Sequence, residues 1–440
     1  MKLSDAPHGG GRLGRAAADP AYLRYRRAFE AAGDAYPSVA VYVGAGASHS
    51  WMWFADLLER LGLHDIAFVT EEEVTTEGLS RFGVLMVGGG DTYAMAEGMG
   101  PGGAGALEGF VRSGGFYHGS CAGGYLVLRG VDRPPFTPFA LVDGEMVNVM
   151  GSPPEPRCLE HKYLAPYGPD WVFHPVYGEV VLGPGIEGRG FECFASGDIK
   201  APLFGGPVIA SMSSVADFTG VSDRAAFLWP RDEAERLLEG RRAVVSASLG
   251  GGTAVASGPH LEHPLFVGAN TLLAELLLRH LKEAPADTGA PSGRAPSTTP
   301  PHGLNPTAAT AQVETLLGEI RRQVSNARIV GFGLEKMPIT WRIGVKVWEP
   351  EKIRTFLDYA WRRLPYLYAR ALYLDPAELE PLAAGYAEVT RLARSLKITI
   401  ESDTDSQPEA QSLLTRLKEL TASFLSLYFR LRLEARGDHD

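Results

Sequence analysis

Three cysteines occur in a chain of 440 residues, and Cys121 stands among small residues in the run Gly119-Ser120-Cys121-Ala122-Gly123. Glycines two places before and two places after it fit the pattern G-x-nucleophile-x-G. In that pattern the central residue sits on a strained strand-to-helix turn. Small neighbours let the backbone turn without clashes. The central side chain then stands over the carboxyl edge of the sheet, where open α/β sheets bind ligands. A helix beginning just beyond it aims its first amides at the sulfur and favours thiolate. The same five residues would also serve as a buried cysteine in a glycine-rich turn, so the chemistry needs partners elsewhere in the chain.

A thiolate nucleophile needs a base and a group that orients the base. His260 and Glu262 lie in SGPHLEHP (257–264), directly after the strand-like GGGTAVAS (250–257). A loop there emerges at the carboxyl end of the sheet, with His260 as proton carrier and Glu262 fixing its tautomer. Taken alone, this is a surface loop with two histidines and an acid. The chain order Cys, then His-x-Glu, favours the chemical reading. Donors for a developing oxyanion are the third requirement. Backbone amides of Gly89 or Gly90, in VGGGD (87–91), are placed to share a crevice with the amide of Ala122. Asp91 and Tyr93 follow and either touch substrate or face solvent. The glycine run is not GxxxxGK[ST], so it is no phosphate-binding P-loop.

The elements that must hold these residues are legible around them. Residues 1–36 read as a loose arm followed by a short helix over 20–33. VAVYVG (39–44), IAFVT (66–70) and FGVLMVGGG (82–90) are β-rich runs, and the first and third end in glycine, as buried parallel strands do. HSWMWFADLLERLGL (49–63) and ALEGFVRSGG (106–115) have helical spacing. FYHGSCAGGYLVL (116–128) reads as strand, sharp turn, helix. Strand and helix alternate with short loops, so βαβ units and a parallel sheet are expected. Over 130–256 the strand-like pieces shorten and alternate in polarity, pointing to an antiparallel or mixed extension. NTLLAELLLRHLKE (270–283) is an amphipathic helix that closes the domain at 37–283.

Residues 284–311 are rich in Pro, Ala, Thr, Ser and Gly and read as an extended linker. Four helical stretches fill 312–440, an all-α bundle. Pro350, Pro376 and Pro408 each sit where a first helical residue would, and Pro365 is expected to kink or break the second stretch. These helices suit self-association into a homo-oligomer or a lid.

Composition narrows the class. Net charge is −10, with 45% hydrophobic and 21% charged residues, so nucleic acid is not an expected partner. No apolar run is long enough for a membrane span, and the N-terminus lacks the apolar stretch of a secretory signal. Three cysteines make neither a disulfide framework nor a CxxC pair, so a reducing cytoplasm is the expected location. His161 and His174, with Glu160 and Glu192, match no ligand spacing, so no metal and no cofactor is expected. Cys158 and Cys193 read as inert packing residues, and His118 as packing rather than reacting. The Trp361, Arg362, Arg363, Tyr366, Tyr368 and Arg370 set reads as a bundle core with a solvated basic face.

These motifs, in this order, resemble the class I glutamine amidotransferase-like superfamily. Within it they resemble most the biotin–protein ligase N-terminal-domain-like family. The resemblance rests on VAVYVGAGAS (39–48), VLMVGGGDTY (84–93), GGFYHGSCAGGYL (114–126), GPGIEGRGFECF (183–194), PLFGGPVI (202–209) and SGPHLEHP (257–264), where Leu261 replaces the usual proline. It covers residues 37–283. It implies a three-layer αβα sandwich of flavodoxin-like type with a mostly parallel sheet. It also implies Cys121 as nucleophile, His260 as base, Glu262 as its orienter, and Gly90 and Ala122 as oxyanion donors. The reaction implied is attack on a small-molecule amide or related carbonyl through a thioester. No synthetase domain and no biotin ligase domain is recognisable. The alternatives are a binding module without catalysis, with a helical assembly domain, and a glutaminase subunit serving a separate synthetase.

Overall fold

The computed structural model describes residues 19–31, 36–129, 135–147, 176–227, 231–283 and 306–437. The N-terminal arm up to residue 18, most of the expected linker, Cys158, Glu160, His161 and His174 lie outside the described residues. The chain divides into two compact units, one formed by the α/β elements and one by the helices that follow.

Helix α1 (Pro20–Glu30) opens the first unit, with Asp19 Oδ1 accepting the Ala21 N–H at 3.0 Å as its N-cap. Then come β1 (Val39–Tyr42), α2 (Trp51–Arg60), β2 (Ile66–Val69), β3 (Val84–Val87), α3 (Thr92–Arg112), β4 (Phe116–Ser120) and α4 (Ala122–Val127). Short strands follow: β5 (Glu145–Met146), β6 (Val176–Pro184), β7 (Ile199–Leu203), β8 (Ile209–Ala210), β9 (Ala216–Val221) and β10 (Ala226–Phe227). Helix α5 (Arg231–Leu238), β11 (Arg242–Leu249), β12 (Gly252–Ser257) and α6 (Val267–Glu283) complete the unit.

All twelve strands among the described residues of this unit join one sheet, whose path runs β10-β6-β9-β11-β12-β4-β3-β1-β2. The five strands from β12 to β2 are mutually parallel. From β11 outward every pairing is antiparallel. The expected parallel core with an antiparallel extension is what the pairing shows. β1, β3 and β4 are buried at every position, which is why they read as unbroken β-rich runs rather than alternating ones.

Several elements differ from expectation. Helix α3 starts at Thr92, well before residue 106, because Asp91 caps it and Gly100 absorbs a kink at φ 57°. Helix α5 and a two-stranded hairpin, β13 (Trp341–Ile343) with β14 (Lys346–Trp348), were not anticipated.

The helical unit contains α7 (Pro306–Leu334), α8 (Glu351–Ala369), α9 (Pro376–Glu401) and α10 (Gln407–Gly437). α7 begins inside the expected linker, with Pro306 as its first residue. Pro376 is likewise the first residue of α9, behind a capping box made by Asp375 and Glu378. Pro350 instead caps α8, and Pro408 is the second residue of α10. Pro365 does not break the second stretch, because α8 continues through it to Ala369. Leu364 and Leu367 are buried on either side of it and Tyr366 packs edge-on against Tyr428 at 5.2 Å, so tertiary packing outweighs the lost backbone bond. Arg363 is buried with its guanidinium over the rings of Tyr359 and Tyr428, a core position rather than a surface one. Among the described residues no helix is long and apolar enough to cross a membrane.

Candidate active site

Parallel pairing decides which loops meet. In register, Ser257 of β12 lies beside Ser120 of β4, and Gly119 lies beside Val87 of β3. Parallel neighbours end on one edge, so the residues following these strands converge there: Gly88–Asp91, Cys121 and Gly258–His263.

Cys121 has φ 53° and ψ −110°, a left-handed backbone that an L side chain rarely adopts. Strain of this kind persists only where the surroundings enforce it. Two glycines make the enforcement feasible. A Cβ on Gly119 would come within 2.2 Å of the Gly123 carbonyl oxygen, and one on Gly123 within 2.3 Å of the Val87 oxygen. The elbow is therefore packed backbone to backbone, and the sequence pattern records two close approaches. The Cys121 N–H donates to Ser257 O at 2.9 Å, tying the turn to β12.

Cys121 is 4% exposed, His260 3% and Glu262 0%. His260 Nδ1 lies 2.7 Å from Glu262 Oε1, and the Cys121 thiol, which donates to Phe204 O at 3.8 Å, is near enough to the ring to raise its proton affinity. A Cβ added to Gly89 would sit 3.2 Å from His260 Nε2 and 3.3 Å from Cys121 Cβ, so sulfur and imidazole face this glycine together. Burial opposes a charged imidazole. The Glu262 carboxylate, its hydrogen bond and the thiol outweigh burial and lift the His260 pKa to about 9. The direction of that shift favours the imidazolium form of the ring.

Of the three amides expected at the oxyanion position, the structure leaves two. The Gly89 N–H donates to Ser50 Oγ at 2.8 Å, so it is engaged and not available. The Gly89 carbonyl accepts from Ser48 Oγ at 2.7 Å and from the Ser48 N–H at 3.0 Å. A trans peptide directs N–H opposite to C=O, so the Gly90 N–H points away from Ser48. The Cys121 carbonyl accepts from the Tyr125 N–H at 3.0 Å inside the first turn of α4, which turns the Ala122 N–H outward. Neither the Gly90 nor the Ala122 amide has a hydrogen-bond partner among the described residues.

Asp91 serves as N-cap: its Oδ1 accepts the Ala94 N–H at 3.1 Å and the residue is buried. Tyr93 packs edge-on against Phe136 at 4.8 Å and is part-exposed. Cys193 is half-buried, and burial with the Glu275 carboxylate pushes its thiol up to about 12, as suits an inert residue. Among the described residues no cluster of His, Cys, Asp and Glu could hold a metal ion.

Residues that pattern reading passed over complete the site. Ser120 Oγ donates to Glu262 Oε1 at 2.7 Å. Asn270 of α6 donates from Nδ2 to Leu261 O at 2.6 Å and His263 O at 3.1 Å, clasping the loop around Glu262. Tyr22 of α1 donates to Asn270 Oδ1 at 2.6 Å, and Arg60 donates to Pro264 O at 2.9 Å. The His260 N–H donates to Pro202 O at 2.9 Å. Trp53 and Phe204 flank the His260 ring at 5.2 and 5.8 Å. His118, on the face of β4 that also carries Ser120, is fully buried against Phe54, and neither ring nitrogen has a hydrogen-bond partner among the described residues. The motif segments contain Ser120, His118, Pro202 and Phe204, and the helical spacing covers Asn270, but neither assigns these residues to Glu262 or His260.

No protein-family model matches the chain, and no curated protein matches it. Among solved structures it is similar to a β-galactosidase from Bacillus circulans sp. alkalophilus, at 15% identity and TM-score 0.31, over 56% of this chain and 30% of that one. A β-galactosidase from Rahnella sp. R3 gives 14% identity and TM-score 0.33, over 56% of this chain and 31% of that one. The chain spans less than a third of the length of either.

Proposed function

We propose that the α/β unit is a cysteine-dependent amidohydrolase or amidotransferase of the class I glutamine amidotransferase-like kind. On this reading it is a flavodoxin-like, three-layer αβα sandwich whose motifs resemble those of the biotin–protein ligase N-terminal-domain-like family. The observation that carries the reading is the left-handed Cys121 at a strand-to-helix turn, beside the His260 ring that Glu262 holds by a hydrogen bond.

The cycle is balanced without a cofactor. The Cys121 thiolate attacks the carbonyl carbon of a small-molecule amide, and the oxygen takes the negative charge beside the Gly90 and Ala122 amides. His260, as imidazolium, gives its Nε2 proton to the departing amine, the C–N bond breaks, and a thioester remains. Neutral His260 then takes a proton from an incoming water, whose oxygen attacks the thioester. Collapse of that intermediate expels the sulfur and releases the acid. Throughout, Glu262 keeps Nδ1 protonated.

The test is the rate at which iodoacetamide and an electrophilic glutamine analogue modify Cys121 near pH 7. Rapid labelling at this residue, abolished in Cys121→Ala, is expected. Labelling no faster than that of an ordinary thiol would overturn the enzyme and favour a pocket that only binds. Co-purification of an ATP-using partner would recast it as a glutaminase subunit.

A further inference from the structure

Glu262 carries two hydrogen bonds on one oxygen. Oε1 receives His260 Nδ1–H and Ser120 Oγ–H, each at 2.7 Å, while buried Oε2 has no partner among the described residues. Ser120 is the residue immediately before the nucleophile. The side chains therefore close into a ring: Cys121 beside His260, His260 bonded to Glu262, Glu262 bonded to Ser120, and Ser120 joined to Cys121 through one peptide bond. Every member is buried, so each bond is strong and each partner is costly to leave unpaired.

We infer that Ser120 is the positioning residue of this site, fixing the Glu262 carboxylate to the strand that presents the sulfur. The inference rests on the enzymatic reading above and adds to it a fourth member acting through Glu262. The Asn270 clasp holds the backbone around Glu262, but it leaves the carboxylate free to rotate about its own side-chain bonds. The Ser120 hydroxyl is what selects the rotamer in which Oε1 meets His260. A hydroxyl here also explains the residue type, because the bend itself asks only for something small. The titratable groups acting on Glu262 are His260 from its own loop and His118 from β4, with Cys121 acting through His260.

The experiment follows iodoacetamide alkylation of Cys121 against pH in the full chain for wild type, Ser120→Ala, Ser120→Thr and Ser120→Val. Threonine and valine share a shape and differ only in the hydroxyl, so this pair carries the test if the alanine protein fails to fold. Wild type is expected to show an upper inflection near pH 9 from His260. Without the hydroxyl, the inflection should move toward the ordinary histidine range and the rate at pH 7 should fall about tenfold. Ser120→Thr should keep the wild-type profile. A merely structural role would lower the melting temperature of Ser120→Val and leave the profile in place, and that result overturns the inference. Slow, ordinary alkylation in wild type would instead remove the enzymatic reading itself.

Discussion

His260 Nδ1 lies 2.7 Å from Glu262 Oε1, and the two side chains are almost wholly removed from solvent. Two groups so placed share their charge: burial penalises each ion alone and the pair relieves the penalty. Replacing Glu262 with Gln keeps the shape and removes the charge, so burial then dominates and His260 becomes neutral at pH 7. Alkylation of Cys121 at pH 7 should drop by one to two orders of magnitude, on the scale of losing an orienting acid. Linkage sets the stability sign. A histidine raised to about 9 contributes stability that is complete below its unfolded value of about 6.5 and is lost as pH rises through 9. Melting curves from pH 6 to 10 should show that alkaline loss in wild type and not in Glu262→Gln. An unchanged slope would show that the pair is not charged.

His118 titrates in the opposite sense. Burial pushes it down to about 4, against the pull of the Glu262 charge, while nearby His260 pushes the same way as burial. A histidine lowered in the fold contributes stability above its unfolded value of about 6.5, and that stability is lost as pH falls toward 4. The span corresponds to about 3 kcal/mol. His118→Phe, next to Phe54, should flatten the acid side of the melting profile. If wild type and variant lose stability in parallel between pH 6.5 and 4, His118 is not the group responsible.

Asn270 satisfies two loop carbonyls and accepts from Tyr22, three bonds at a fully buried position. Asn270→Ala leaves all three partners wanting and should cost about 2–4 kcal/mol, seen as a lower denaturant midpoint. Tyr22→Phe removes two bonds, the one it donates to Asn270 Oδ1 and the one it accepts from Arg60 Nη1 at 3.2 Å, and should cost about 1–2 kcal/mol. Both should slow Cys121 alkylation in the order of their stability losses, since the loop they release carries His260 and Glu262. Normal alkylation in folded Asn270→Ala would show that the loop holds its shape unaided.

The sequence by itself determined what depends on local geometry. Buried parallel strands read as continuous apolar runs, and Gly119 and Gly123 mark an elbow because no side chain fits against the facing backbone. His260 and Glu262, two residues apart, could be paired by spacing alone. Only the tertiary structure decided matters that depend on partners far along the chain. Ser50, 39 residues away, takes the Gly89 amide and leaves Gly90 as donor. Ser120 finds Glu262 across 142 residues, because β4 and β12 lie in register. Asp91 caps a helix whose beginning the glycines around residue 100 obscured, and Pro365 stays helical because its neighbours are buried. Hydrogen bonds of this kind are set by strand register and helix docking. Those follow from burying many side chains at once, which the spacing of no single motif records.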